Sequence, residues 1–212
     1  MAIDTDNTQT SRSRLLDAGK TLFAQNGYEQ TSTAAIAREA GTSESQLMRY
    51  YGGKAGLLSA IFNQGWASLN QLMQSRIAAA ANADEALAAI LDTMVEGFTA
   101  DPEAGFLFVF EGHRVRSGTE VALSQGFADF RELLRVVIRR GHRDGTLVDQ
   151  YNDEALAIAL IGAVEALLRE RLIARRANQP DPFNDDELKA VFLALLSGLA
   201  RRGDSASHGA TA

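Results

Sequence analysis

Apolar side chains recur at helical spacing along most of the chain, and no stretch shows the convincing alternation of a half-buried strand. The first helix is predicted to run from about residue 11 to residue 25, where Asn26 and Gly27 form a stop signal. Its apolar stripe consists of Leu15, Leu16, Leu22 and Phe23. A long helix is predicted from Lys54 to about Ala81, with a stripe of Leu58, Ile61, Phe62, Trp66, Leu69 and Met73. The pattern indicates an all-α fold class.

The middle of the chain continues in the same period. Asp84 begins a helix that extends to about Phe98, and Asp101-Pro102-Glu103 combines a cap, a first-position proline and an acidic first turn. We expect the helix that starts there to carry three side chains on one face, namely Phe106, Phe110 and His113. A further helix is predicted from about residue 119 to residue 140, where Gly141 and the pair Asp144-Gly145 break it.

The last two predicted helices bear on oligomeric state. Asn152 caps the first, which is apolar or small on nearly every side as far as Leu168 and must therefore be covered on two sides. The second begins with Asp185-Asp186-Glu187, and its stripe is Leu188, Val191, Phe192, Leu195, Leu196 and Leu199. Small residues that permit close helix approach are Ala159, Gly162, Ala163 and Ala166 on one helix, and Ala190, Ala194, Ser197 and Gly198 on the other. They favour a homodimer with a four-helix interface, although the core of a monomeric bundle would have the same composition.

Residues 31–58 have the order of a helix-turn-helix. Ser32 or Thr33 can cap a short helix whose small buried face is Ile36, Ala37 and Ala40. Gly41 follows as the turn glycine, and Ser43 with Gln46 has the spacing of a capping box for a second helix over about residues 44–51. That helix points Leu47 and Tyr51 inward, so its other side chains are available for DNA.

The run from Gly41 to Leu58 resembles the signature of TetR-family transcriptional regulators. The matching residues are Gly41, Ser43, Leu47, Tyr50, Tyr51, Lys54, Leu57 and Leu58. The resemblance implies a ligand-responsive regulator, most simply a repressor that a small molecule releases from its operator. Its implied domains are a flexible arm over residues 1–10, a helix-turn-helix domain over 11–56, an effector-binding and dimerisation domain over 57–202, and a disordered tail over 203–212.

Two positions depart from the family pattern. The family often has arginine or another polar residue at the position of Ala34, and tyrosine at the position of Met48. These departures favour the alternative that the chain is a helical adaptor or interaction protein, which keeps the fold but lacks specific DNA binding.

The net charge of −6 is unevenly distributed along the chain. The first 60 residues contain six basic and six acidic side chains, so the acidity belongs to the remainder. DNA attraction needs only a local positive face, because affinity comes from neutralising nearby phosphates. The side chains that can form such a face are Arg12, Arg14, Lys20, Arg49 and Lys54.

The candidate DNA-binding residues are Ser32, Thr33, Ser43, Glu44, Ser45, Gln46, Met48, Arg49, Tyr50 and Lys54. Gln46 either bonds adenine through its amide or remains in solvent, and Arg49 suits either guanine or phosphate. Lys54 is expected to bind a DNA phosphate at a helix N-terminus. The resemblance implies that a dimer places two recognition helices in successive major grooves, roughly 34–36 Å apart, on a near-palindromic double-stranded operator.

The candidate effector-binding residues are Trp66, Met94, Phe98, Phe106, Phe110 and His113. Their mostly aromatic character favours a lipophilic or aromatic small molecule, although for each apolar member taken singly a core position is the better interpretation.

Other classes find little support. Cysteine is absent, which suits a reducing cytoplasm, and the three histidines, His113, His142 and His208, are widely separated. No nucleophile motif or phosphate-binding loop is present, so we expect no enzyme, cofactor or metal. The polar start lacks signal-peptide character, and the longest apolar run, residues 155–164, is too short to span a bilayer. A cytoplasmic protein without a membrane partner is therefore expected.

Overall fold

The computed structural model describes residues 5–111, 114–117 and 120–199, with side chains described over residues 11–111 and 124–199. Its helices are α1 Thr5–Asn26, α2 Thr33–Glu39, α3 Glu44–Tyr51, α4 Lys54–Ala79, α5 Ala83–Ala100, α6 Pro102–Phe110, α7 Gln125–Asp144, α8 Asp153–Arg176 and α9 Asp185–Ser197. A short antiparallel hairpin, β1 Arg114–Ser117 with β2 Glu120–Leu123, separates α6 from α7. The all-α fold class is confirmed, with this hairpin as its one β element among the described residues.

The first helix begins earlier than predicted. The expected start at residue 11 and the expected flexible arm are wrong for residues 5–10, which belong to α1, while residues 1–4 lie outside the described residues. This segment is rich in Asp, Asn and Thr, which have low helix propensity, and it lacks an apolar stripe. Periodicity therefore cannot mark the true start.

Helix α4 connects the two halves of the molecule. It runs without interruption from Lys54 to Ala79, close to the predicted bounds and straight through the predicted domain boundary between residues 56 and 57. Its buried face holds Leu57, Ile61, Phe62, Trp66 and Met73. It packs on α1 and α3 at one end and on α5 and α7 further along, so it links the two groups of helices.

The middle of the chain departs most from the prediction. Helix α6 ends at Phe110, so among the described residues it carries only Phe106 and Phe110 of the expected face, and His113 lies outside the described residues. Helix α7 begins at Gln125 under a Ser124 cap, and the hairpin occupies the residues before it. Each strand is only four residues long, too short for its alternation to stand out from a helical pattern.

Helix α7 also ends later than predicted. Gly141 does not break it but lies buried within it, where an added Cβ would be 2.6 Å from Leu147 Cγ. The helix ends instead at Gly145, whose φ of 77° is left-handed. Gly141 is therefore a packing residue that lets the next loop approach the helix closely.

The final helices follow the prediction over the described residues. Asn152 caps α8, and a full capping box between Asn184 and Glu187 starts α9. The buried positions of α9 are Leu188, Phe192 and Leu196, so half of the predicted stripe is buried. The predicted disordered tail over residues 203–212 lies outside the described residues.

The core of the larger domain is built around Trp66. Its ring stacks on Phe108 at 5.3 Å and on Phe130 at 4.8 Å, and it contacts Phe127 at 5.4 Å. These residues come from α4, α6 and α7, so one aromatic cluster joins three helices. Aromatic pairs of this kind contribute about 0.5–1.5 kcal/mol beyond their buried area.

Candidate nucleic-acid interface

Helix α3 presents a polar face because a single residue anchors it. Leu47 is fully buried, whereas Ser43, Glu44, Ser45, Met48 and Arg49 are exposed. Gln46 and Tyr50 are half-buried. Most candidate reading residues therefore share one accessible surface.

Hydroxyl caps and a left-handed glycine set the angle between α2 and α3. The Ser32 hydroxyl accepts a hydrogen bond from the backbone N–H of Ala35 at 3.1 Å, which decides between the two predicted caps. The Ser43 hydroxyl accepts from the backbone N–H of Gln46 at 3.3 Å. Between the helices, Gly41 has a φ of 60°, as its predicted turn role requires.

The capping box predicted for α3 is only half formed. The Gln46 side chain does not return to the backbone of Ser43; its amide oxygen accepts from the hydroxyl of Thr42, while its NH₂ group keeps its donors. Thr33, the other predicted cap, instead donates its hydroxyl to Glu44 at 2.6 Å. Thr33 of α2 therefore binds Glu44, and Thr42 of the turn binds Gln46, at the start of α3.

The end of α3 carries a cation on an aromatic ring. The Arg49 guanidinium lies 4.7 Å from the centroid of the Tyr50 ring and donates to the Tyr50 hydroxyl at 2.6 Å. Met48, one of the two departures from the family pattern, is 54% exposed beside them. This part of the surface therefore combines a full positive charge with an unusually exposed thioether.

Lys54 begins α4, as predicted, and its ammonium also makes contacts within the protein. Its ammonium donates to the backbone carbonyl oxygens of Tyr28 at 2.8 Å and Glu29 at 3.3 Å, and lies 4.3 Å from the Tyr28 ring centroid. An ammonium has three donors, so a phosphate can still receive one. Lys54 thus ties the loop between α1 and α2 to the start of α4.

The start of α4 is open and close to α3. Its N-cap is Gly53, which has a φ of 120° and supplies no side-chain cap. A Cβ on Gly56 would lie 1.7 Å from the backbone oxygen of Tyr51, the last residue of α3. Glycine at this position is therefore required for the angle at which α4 supports α3.

A hydrogen bond from Tyr51 links α3 to α1. Its hydroxyl donates to the backbone oxygen of Arg12 at 2.8 Å, and the Arg12 guanidinium lies 5.7 Å from its ring centroid. Burial raises the pKa of Tyr51 above its usual value, against a smaller opposing effect of Arg12. The phenol therefore stays protonated and remains a hydrogen-bond donor at neutral pH.

Exposed arginines lie on each of the first three helices. Arg12 and Arg14 of α1, Arg38 of α2 and Arg49 of α3 are all exposed. Lys20, the remaining predicted member of this face, instead pairs with Asp101 of the larger domain at 2.7 Å. The positive face is thus made chiefly by arginines, which suit bidentate contacts with phosphate or guanine.

Polar contacts join the helix-turn-helix domain to the larger domain. Thr21 donates to Glu103 at 2.9 Å, and the backbone N–H of Tyr28 donates to Glu111 at 3.2 Å. From α8, Arg176 donates to the backbone oxygens of Ala24 and Gln25, each at 2.6 Å. The C-terminal end of α1 is therefore held by both α6 and α8.

The described members of the predicted effector set lie in different parts of the structure. Trp66 and Met94 are buried in the core, and Phe98 lies on the edge of a cavity between α1, α4, α5 and α6. Phe106 stacks on the 40%-exposed Phe110 at 4.4 Å and lies below the Arg176 guanidinium. The core interpretation therefore suits Trp66 and Met94, and only Phe98 faces the enclosed space between the domains.

Cavities adjoin these helices in several places. One, of about 800 Å³, is an open groove between α4 and α7 that includes Asn70, Ile77 and Val137. A cavity of about 260 Å³ lies between the domains, and another of about 370 Å³ lies beside Phe106 and Arg176. The first and third of these have volumes within the range of about 300–1,000 Å³ typical of small-molecule sites, and the second lies slightly below it.

The predicted dimerisation residues lie on an exposed apolar surface, which we call the α8–α9 face. Ala159, Gly162 and Ala166 of α8 and Ala190, Ala194, Ser197 and Gly198 of α9 are exposed, while Ala163 is half-buried. A Cβ on Gly162 would contact nothing within 4 Å. Large apolar side chains extend the same face, namely Ile158 at 54% exposure, Ile173 at 45%, Val191 at 50%, Leu193 at 46% and Leu195 at 50%. The small residues are therefore not needed for the core of a single chain.

Several residues that shape this surface are not among those identified from the sequence. Thr42 and Gly56 act through neighbours close in sequence, and a glycine two residues inside a predicted helix is a signal of close approach. Arg176 acts through carbonyl groups about 150 residues earlier in the chain, so no local pattern could identify it.

No described helix is both long enough and apolar enough to cross a bilayer. Within the described residues, no group of three or more His, Asp or Glu side chains is arranged to hold a metal ion.

The chain is similar in sequence to known transcriptional regulators. Residues 15–61 match the family described as "Bacterial regulatory proteins, tetR family". The chain is 28% identical over 146 residues to the HTH-type transcriptional repressor KstR2 of Rhodococcus jostii strain RHA1, covering 68% of this chain and 72% of that protein.

Solved structures share the fold over nearly the whole chain. The fatty acid degradation regulator FadR from Bacillus halodurans superposes with a TM-score of 0.76 at 21% identity, over 88% of this chain and 98% of that one. FadR from Bacillus subtilis, solved in complex with stearoyl-CoA, gives 0.75 at 19% identity, over 87% and 96%.

Proposed function

We propose, from the premise that this chain belongs to the TetR family of bacterial transcriptional regulators, that it is a homodimeric repressor of a near-palindromic operator and that a small molecule releases it. The observation that carries the proposal is the geometry of α3, a capped helix with one buried anchor and an exposed polar face that includes Arg49. Such a helix is what the major groove accepts.

In this proposal α3 reads bases with a small number of side chains. The Gln46 NH₂ group donates to a base acceptor, and release of Thr42 would free the amide oxygen for bidentate contact with adenine. Arg49 either contacts guanine or binds phosphate after leaving the Tyr50 ring. In the proposed complex the exposed hydroxyls of Ser32, Ser43 and Ser45 donate to phosphate oxygens, and Thr33 can do so only after releasing Glu44. The open start of α4 with Lys54 adds another phosphate contact.

Dimerisation supplies the second reading helix. The α8–α9 face is apolar, contains small residues for close helix approach, and is not covered by any other part of the described chain. Exposed apolar surface of this extent marks an interaction site. A second copy of the chain is the partner that the two-fold symmetry of a palindromic operator requires.

Release requires a ligand that binds one arrangement of the two DNA-binding domains better than the other. The effector is proposed to be a small molecule with a lipophilic or aromatic body, and the structural relative that binds stearoyl-CoA supports this class. The contacts of α6 and α8 with the end of α1 are the means by which a change in the larger domain reaches α3.

Fluorescence anisotropy with the DNA that flanks the protein's own gene tests this function, at two salt concentrations and with random DNA as competitor. Specific binding is expected to resist the competitor and to weaken steeply with salt, because each neutralised phosphate releases counterions. Binding no tighter than to random DNA, for this and for neighbouring intergenic segments, would instead support the adaptor alternative suggested by Ala34 and Met48.

A further inference from the structure

The cavity of about 260 Å³ between the two domains, here called the junction cavity, is formed by four helices. Helix α1 contributes Leu16, Asp17 and Lys20, and the rest of the lining comes from α4, from the end of α5 and from α6. Its volume is slightly below the range of about 300–1,000 Å³ that drug-sized ligands occupy. It therefore suits a compact molecule, with a single aromatic ring or a short aliphatic chain.

Two glycines allow close packing in the walls of the junction cavity. Gly65 lies inside α4 and Gly97 inside α5, where glycine costs about 1 kcal/mol relative to alanine. A Cβ on Gly65 would lie 2.5 Å from Cζ of Phe108, and one on Gly97 would lie 2.6 Å from Cδ2 of Leu69. Phe108 and Leu69 both line the cavity, so the glycines permit the close packing that shapes it.

The cavity lining combines apolar and charged side chains. Phe98 and Phe108 provide aromatic surface, and Ser68 provides a hydroxyl. The Lys20 ammonium is paired with the Asp101 carboxylate at 2.7 Å, and their side chains are 25% and 42% exposed. Asp17 also lines the cavity, so a ligand with one negative charge meets less repulsion there than one with two.

We propose that the junction cavity binds a compact lipophilic monocarboxylate whose carboxylate replaces that of Asp101 on Lys20. Asp101 can release Lys20 without unfolding α6, because its other oxygen accepts the capping bond from the Ala104 N–H at 3.0 Å. The exchange removes one of the contacts that hold α1 against the larger domain. This inference names the ligand class for the proposed release and in that respect rests on the proposed function.

The single tryptophan of the chain provides a direct probe. Trp66 stacks on Phe108, with the rings 8° from parallel, and Phe108 lines the junction cavity. Full-length protein is titrated with phenylacetate, 3-phenylpropionate and octanoate, and with the corresponding neutral amides. Binding is followed by Trp66 fluorescence and by calorimetry up to about 10 mM.

At least one acid is expected to bind saturably, and its amide about tenfold more weakly, because a charge-assisted hydrogen bond is lost. Lys20→Met should abolish this preference. Asp101→Asn keeps the cap but removes the competitor for Lys20, so it should tighten binding of the acid by about two- to fivefold.

Lys189→Met is the matched control, since Lys189 forms a similar ion pair with Asp92 at 2.8 Å, with side-chain exposures of 31% and 41%. It should leave acid binding unchanged. The proposal is overturned if none of the three acids binds, if Lys189→Met acts like Lys20→Met, or if Asp101→Asn weakens binding as Lys20→Met does.

The same preparations separate this inference from the proposed function. Acid binding with the expected pattern in a protein that binds no specific DNA would establish the site and refute the repressor. Specific DNA binding without acid binding would overturn the site and leave the repressor standing.

Discussion

Replacing Leu195 by glutamate should weaken the homodimer by a predictable amount. Leu195 lies on the α8–α9 face and is 50% exposed in the single chain. Full burial of a leucine side chain contributes about 1.5–3 kcal/mol, so covering the exposed half contributes about 0.8–1.5 kcal/mol per protomer. Two copies lose about 1.5–3 kcal/mol together, which raises the dimer dissociation constant about 10- to 150-fold before any cost of burying the new charge.

Sedimentation velocity over a dilution series measures this change. Leu72→Glu is the matched control, because Leu72 is 41% exposed but lies on α4, away from the α8–α9 face. The control should dissociate at the same concentration as the unaltered protein. Equal effects of the two substitutions, or an unaltered protein that is monomeric at every concentration, would refute the assignment of the α8–α9 face to dimerisation.

Three further predictions concern the DNA-binding domain and pH. Gly56→Ala should destabilise the fold by about 1–3 kcal/mol or more and reduce DNA affinity, since its Cβ meets the Tyr51 carbonyl; urea melts and anisotropy check both effects. Burial raises the pKa of Asp84, so its charged form is disfavoured in the fold and Asp84→Asn should stabilise the protein at pH 7. That gain should vanish as pH falls below the ordinary aspartate pKa of about 3.9, and a gain independent of pH in thermal melts would contradict it. Gln46→Ala should relax the sequence preference at one base position. Lys54→Ala should weaken binding to all sequences and lower the slope of log affinity against log salt concentration by about one unit. An unchanged slope would show that Lys54 makes only its contacts within the protein.

Local chemistry accounts for what could be predicted from the sequence. The caps at Ser43 and Asn152, the turn at Gly41 and the proline start of α6 all act within four residues, so their spacing is visible in the chain. Long periodic stripes likewise identified α4.

Features that depend on contacts distant in sequence could not be predicted. Lys54 was assigned to phosphate from its helix position, yet its ammonium binds carbonyl oxygens of a loop 25 residues earlier. The exposed half of the α9 stripe, including Val191 and Leu195, could be separated from the buried half only once α9 was packed against its neighbours. The junction cavity likewise exists only where four helices meet.

The most direct test of a dimeric, sequence-specific regulator is selection of bound duplexes from a random-sequence DNA pool. The account predicts enrichment of a near-palindrome whose half-sites are separated by about one helical turn, roughly 34–36 Å, or by a multiple of it. It also predicts that Leu195→Glu protein recovers the same half-site with weaker selection for the pair. A pool that remains unenriched, or that yields a single asymmetric site for the unaltered protein, would contradict it.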